Sequence, residues 1–218
     1  MSEKFVKKWG EKGEYQPPFG TRIEEALLPP GPLKPRLGFA VRRIEAQIRR
    51  LDQASDRFSE RDKSIFAKVV DAYSKHDTPR ANVFASELAE IRKMEKVVMH
   101  ARLALEQVVL RLKTVTELGD MVATLAPAVS VLRNIRTAIA GVLPDAGREL
   151  EQIGILLSGI IMDAGHTTGL TLSFGATNED AQKILTEAAT VAEQRMKKKF
   201  PELPAGVPAV GERAQTQT

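Results

Sequence analysis

From Leu37 onward, apolar residues recur at alternating steps of four and three: Leu37, Val41, Ile44, Ile48, Leu51, Phe58, Ile65 and Val69, broken only by Ser55 and Asp62. A second run follows: Phe84, Leu88, Ile91, Val98, Leu105, Val109 and Leu112, with Glu95 and Arg102 as its polar exceptions. Such steps place one apolar stripe along each of two long helices. His76-Asp77-Thr78-Pro79 separates them. Pro79 suits the first turn of the second helix, where its missing N–H costs nothing. Two stripes joined by so short a connection meet only if the helices fold back antiparallel. The pattern therefore predicts a helical hairpin with arms of about 40 residues, roughly 60 Å long.

Beyond the hairpin the pattern shortens. Pro127 predicts a helix break, followed by helices at Val129–Val142 and Asp145–Met162, with Asp145 capping the latter. Ile153, Ile155, Leu156, Leu157, Ile160, Ile161 and Met162 leave almost no polar face, which predicts a buried helix. Gly165–Gly175 reads as a loop. Asn178-Glu179-Asp180 then opens a helix with a weak stripe of Ala181, Ile184, Leu185, Ala188, Val191 and Ala192, ending in Lys197-Lys198-Lys199. The expected fold is all-α: a long antiparallel helical hairpin, then short helices, then a flexible Pro-rich C-terminal tail. The expected parts are a flexible segment 1–36, a core 37–165, a linker and helix 166–199, and a tail 200–218.

Composition agrees with long solvated helices. Of 218 residues, 28% are charged and 5% aromatic. With no Cys, disulfides, thiolate catalysis and cysteine metal sites are excluded. Met1-Ser2-Glu3-Lys4 begins no secretory signal, and the longest apolar stretch, Ile153–Met162, is too short to span a bilayer. The expectation is a cytoplasmic protein. The net charge of +4 is unevenly placed: between residues 33 and 50 six basic residues face Glu45 alone, whereas seven basic and seven acidic residues cancel between 76 and 125. Arg42, Arg43, Arg49 and Arg50 stand off the apolar stripe in pairs seven apart, so they share a face. That face is either a solvated flank or a site for anionic lipid or nucleic-acid phosphate.

The segment before it favours lipid. Residues 1–36 are rich in Pro and Gly and read as a tether, but the first dozen differ. Phe5 and Trp9 stand four apart among Lys4, Lys7 and Lys8. On a short helix this is the form of an interfacial anchor, with aromatic rings at head-group depth and lysines toward anionic lipid.

Four segments carry a family resemblance: Glu60-Arg61-Asp62-Lys63-Ser64-Ile65-Phe66, Ala85-Ser86-Glu87-Leu88-Ala89-Glu90-Ile91-Arg92-Lys93-Met94, Ala101-Arg102-Leu103-Ala104-Leu105-Glu106-Gln107-Val108 and Arg111-Leu112-Lys113-Thr114-Val115. With Leu118-Gly119-Asp120-Met121 and Leu125-Ala126-Pro127, they resemble the ESCRT-III family, most of all its archaeal cell-division branch, the CdvB-like proteins. The resemblance implies hairpins laid side by side in filaments that constrict or sever membranes, with homo- or hetero-polymer contacts among paralogues. It implies that Arg42, Arg43, Arg49 and Arg50 face an anionic membrane, with Phe5 and Trp9 as the tip, and that Glu87 and Glu90 meet filament neighbours. The long Pro-rich spacer between tip and hairpin departs from the family pattern. A late short helix, here the Asp145–Met162 segment, would pack on the hairpin tip of its own chain or of a neighbour, and its exchange would switch a closed monomer to an open polymer; simple core packing within one chain is the alternative. Phe200-Pro201, Leu203-Pro204 and Val207-Pro208 make an extended, polyproline-type segment that loses little entropy on docking. It resembles the proline-rich MIT-interacting motif through which such tails recruit an AAA ATPase.

Catalysis finds little support. His76, His100 and His166 are scattered, no phosphate-binding Gly-rich loop is present, and no His pair has metal-ligand spacing. No enzyme activity and no cofactor are expected. Three classes remain: a membrane-remodelling filament subunit at the inner face of the cell membrane, a coiled-coil adaptor that ignores lipid, and a nucleic-acid-binding rod. The last is weakest, because the arginine face lacks stacking aromatics.

Overall fold

A computed structural model describes residues 33–115, 118–168 and 174–201. The chain divides into units of 1–31 and 32–218, and all described residues belong to the second. Every element among them is a helix: α1 (Leu33–Ser74), α2 (Thr78–Lys113), α3 (Leu118–Ile139), α4 (Pro144–Thr168) and α5 (Phe174–Lys199). The all-α hairpin architecture expected from the periodicity is what the chain adopts.

The 42 residues of α1 and 36 of α2 form the hairpin, with arms of about 63 and 54 Å at 1.5 Å per residue. Its turn is built from side chains the sequence places there. The His76 N–H donates to the Tyr73 carbonyl and the Asp77 N–H to that of Ala72. These two bonds close the end of α1 around His76, whose φ of 58° is the left-handed geometry that usually calls for glycine. Asp77 then caps α2 by accepting from the Arg80 N–H at 3.2 Å, and Pro79 occupies the first turn.

The stripes meet, and their polar exceptions are where the arms are cross-linked. Asp62, nearly fully buried, accepts from Arg92 Nε at 2.6 Å. Ser55 donates to the buried Glu95 at 2.6 Å. Arg102 pairs with Asp52 and Glu106. The Asp62–Arg92 and Ser55–Glu95 layers separate a small apolar cluster near the turn, built on Ile65, Val69, Leu88 and Ile91, from the main core toward the open end.

Several expectations change past the hairpin. The chain breaks after Lys113, not at Pro127: α3 runs through Pro127 without interruption. The proline is buried, and the carbonyl it cannot match belongs to the solvent-exposed Ala123. Asp145 is not the cap of α4, because Pro144 takes the first helical position and Asp145 instead pairs with Arg148. The loop before α5 is also shorter than expected. α4 extends to Thr168 and α5 begins at Phe174, which puts Asn178 inside the helix.

α3 and α4 form a second, shorter hairpin against the open end of the first. Within its own chain this helix packs at the open end and not on the hairpin tip: there Asp163 and Glu149 of α4 meet Arg36 and Arg43 of α1. Ile153, Leu157, Ile160 and Ile161 are buried as predicted, but Ile155 (68% exposed) and Met162 (62%) are not. α5 lies along α2 and runs toward the turn. Ala181, Ala188 and Ala192 on its inner face allow a close approach, and His100 Nε2 donates to the Leu185 carbonyl at 3.0 Å.

Candidate functional site

The basic face predicted on the first arm divides in two. Arg42, Arg49 and Arg50 are exposed and make no ion pair among the described residues. Arg43 is taken up by α4: its Nε and Nη2 donate to Glu149 Oε1 at 2.9 and 2.7 Å, and Nη2 reaches Gln152 Oε1 at 3.1 Å. Two turns toward the start of α1, Arg36 donates from one guanidinium nitrogen to Asp163 Oδ2 at 2.5 Å. α4 therefore sets carboxylates on two guanidiniums of this arm. Glu45, among the free arginines, hydrogen-bonds Lys113 Nζ at 2.6 Å. That bond, with the nearby charges of Lys113, Arg49 and Arg42, holds its carboxyl below the usual carboxylate range.

Glu87 and Glu90 are surface residues of α2 engaged within their own hairpin. Glu87 pairs with Arg61 at 3.0 Å and Glu90 with Lys93 at 3.8 Å. Exposed pairs of this kind contribute little and leave both carboxylates within reach of a partner.

Phe200, expected to open the tail, closes the folded body instead. It is buried, its N–H donates to the Met196 carbonyl at 3.0 Å, and its ring centroid lies 5.4 Å from the Arg92 guanidinium. Beside it Lys199 Nζ donates to Glu95 Oε1 at 2.8 Å and to Ser55 Oγ at 3.0 Å. The C-terminal end of α5 is thus fixed to the central polar layers of the hairpin. Pro201 is exposed. Leu203, Pro204, Val207 and Pro208 lie outside the described residues, as do Lys4, Phe5, Lys7, Lys8 and Trp9.

The sequence marks Ser55, Asp62, Glu95 and Arg102 as exceptions to the stripes without pairing them, places Arg36 and Lys199 in basic clusters without partners, and gives no sign of the roles of Glu149 and Asp163. Asp62 and Arg92 stand at nearly equal distances from the turn, as do Asp52 and Arg102, so those two pairings were available from residue counts. The contacts of α4 and α5 join residues more than a hundred positions apart, and no local pattern announces them.

Among the described residues no group of three or more His, Cys, Asp or Glu could hold a metal, and no helix is long and apolar enough to cross a membrane. What the fold defines is a helical-hairpin protein with an exposed basic face on its first arm. No family model matches the chain, and no solved structure matches it. It is 45% identical over 174 residues to Cell division protein B1 of Sulfolobus acidocaldarius, covering 80% of this chain and 81% of that protein. It is 34% identical over 162 residues to Cell division protein B of the same organism, covering 74% of this chain and 62% of the longer relative. The chain belongs to this archaeal cell division protein B family, the CdvB-like proteins. Its named relatives are cell division proteins, and a role in archaeal cell division follows at that level.

Proposed function

We propose that the chain is a subunit of an ESCRT-III-type filament that assembles on anionic membrane at the division site. There, alone or with paralogues, the filament constricts the membrane, and an AAA ATPase whose MIT domain captures the tail disassembles it. The observation that carries the reading is the exposed trio Arg42, Arg49 and Arg50 on one arm of a long rigid hairpin, free of ion pairs among the described residues. Side-by-side hairpins would align such trios into a continuous cationic stripe.

The acidic contacts of α4 support a closed and an open form. Glu149 and Asp163 occupy Arg43 and Arg36 as lipid head groups would, so displacing α4 would add these two guanidiniums to the free cations of this arm. At about 1 kcal/mol per basic residue near an anionic surface, two more arginines strengthen binding on the order of tenfold or more. Membrane and α4 would then compete for the same guanidiniums.

The test is cosedimentation with phosphatidylserine vesicles at several salt concentrations. Reversing Arg42, Arg49 and Arg50 to Glu should weaken binding at least about 100-fold, with circular dichroism unchanged. Binding that survives the triple reversal, or that ignores salt, would overturn the arginine trio as the membrane contact, and a wild type that does not bind at all would favour the adaptor that does not touch lipid.

A further inference from the structure

Between α3 and α4 runs an open groove of about 340 Å³. Leu132 and Leu150 form its floor, Val129 one wall, and the exposed Ile155 and Met162 the other. Arg133, exposed and without an ion-pair partner among the described residues, stands at its rim. Apolar side chains at 68% and 62% exposure beside a concave apolar floor are the features of a site for a short apolar segment.

We propose that this groove takes residues 201–208 of a second copy of the same chain. The segment reads Pro-Glu-Leu-Pro-Ala-Gly-Val-Pro. Its apolar-Pro pairs suit a groove of this size, and Glu202, its one charge, is complementary to Arg133. Reach decides which copy supplies it. Phe200 is docked on Arg92, which is bonded to Asp62 of α1, whereas α4 meets α1 at Arg43 and Arg36. From Asp62 to Arg43 is 19 residues of helix, about 28 Å. From Pro201, Leu203 lies two residues on and Val207 six, at most about 7 and 22 Å of extended chain. With Phe200 docked, neither arrives at the groove of its own copy. A neighbour's groove has no such restriction. Tail into groove is a heterologous contact, each copy giving one and receiving one, and such contacts propagate as open chains unless the rotation closes a ring. A domain that captured the same segment would compete with this contact.

The inference needs neither lipid nor ATPase, so its test stands apart from the membrane reading. A fluorescent peptide of residues 201–210 is titrated into the full chain carrying Leu203→Asp, which disables the receptor's own tail, and anisotropy is read. Saturable binding is expected. It should weaken at least tenfold with Ile155→Glu and with Arg133→Glu in the receptor, and the latter loss should be recovered by Glu202→Lys in the peptide. Val83→Glu, at an exposed hairpin position away from the groove, should change nothing. All three receptor positions are solvent-facing, and circular dichroism verifies the fold. No saturable binding, or equal loss from Val83→Glu and Ile155→Glu, would overturn the assignment.

Discussion

Lys199→Met removes one contact that joins the last turn of α5 to the centre of the hairpin. Glu95, the acceptor, is fully buried; Oε1 takes hydrogen bonds from Lys199 Nζ at 2.8 Å and Ser55 Oγ at 2.6 Å. Without the ammonium, a buried carboxylate retains one neutral donor. Removing one partner of a buried pair costs about 3–5 kcal/mol, and a hydrogen bond to a charged group contributes about 1.5–3 kcal/mol. Lys199 itself is 28% exposed, so water can partly replace it, and about 2 kcal/mol is the expected loss. Glu95→Gln keeps the Ser55 bond while removing the charge, so Lys199→Met should cost much less in that background. The double-mutant cycle, measured by urea unfolding, should give a coupling of at least about 1 kcal/mol. Amide exchange should show the last two turns of α5 opening more readily in Lys199→Met, with the exchange of α3 and α4 unchanged. A coupling within error of zero, with unaltered exchange in α5, would refute this account of how α5 is held.

Two further outcomes follow from single residues. His76 holds a left-handed φ that costs a non-glycine residue about 1–2 kcal/mol. His76→Gly should therefore stabilise the chain by about 1 kcal/mol and raise the melting temperature by roughly 2–4 °C in a scanning calorimeter. The carboxyl of Glu45 has a lowered pKa in the folded chain, so its contribution is present above the unfolded value and is lost as pH falls through the folded value. Glu45→Gln should reduce stability at neutral pH and flatten its acid dependence; identical acid limbs for variant and wild type would exclude the Lys113 contact as the cause.

How far the sequence discloses this fold depends on how local the determining contact is. The stripes of α1 and α2 repeat with helical period over some eighty residues, so the hairpin and its turn were legible down to the role of Pro79. Pro127 misled because local propensity favours a break there. Burial of α3 against α2, α4 and α5 outweighs one missing hydrogen bond. The α4 segment misled differently: composition alone cannot tell a helix buried all round from one with an exposed apolar edge, and Ile155 with Met162 forms such an edge. Of the candidate site, exposure of Arg42, Arg49 and Arg50 follows from helical phase. The capture of Arg43 by Glu149 does not, since Arg43 is as far off the stripe as its neighbours. Phe200 read as tail because prolines follow it at 201 and 204. Only the tertiary position of Arg92 shows why it ends the folded body.

The measurement that bears most directly on the central claim is electron microscopy of the purified full-length protein with and without anionic liposomes, beside the Arg42→Glu, Arg49→Glu, Arg50→Glu triple variant. The account predicts filaments or coated, deformed membranes for the wild type and bare vesicles for the variant. Discrete particles that leave the liposomes untouched in both samples would contradict it.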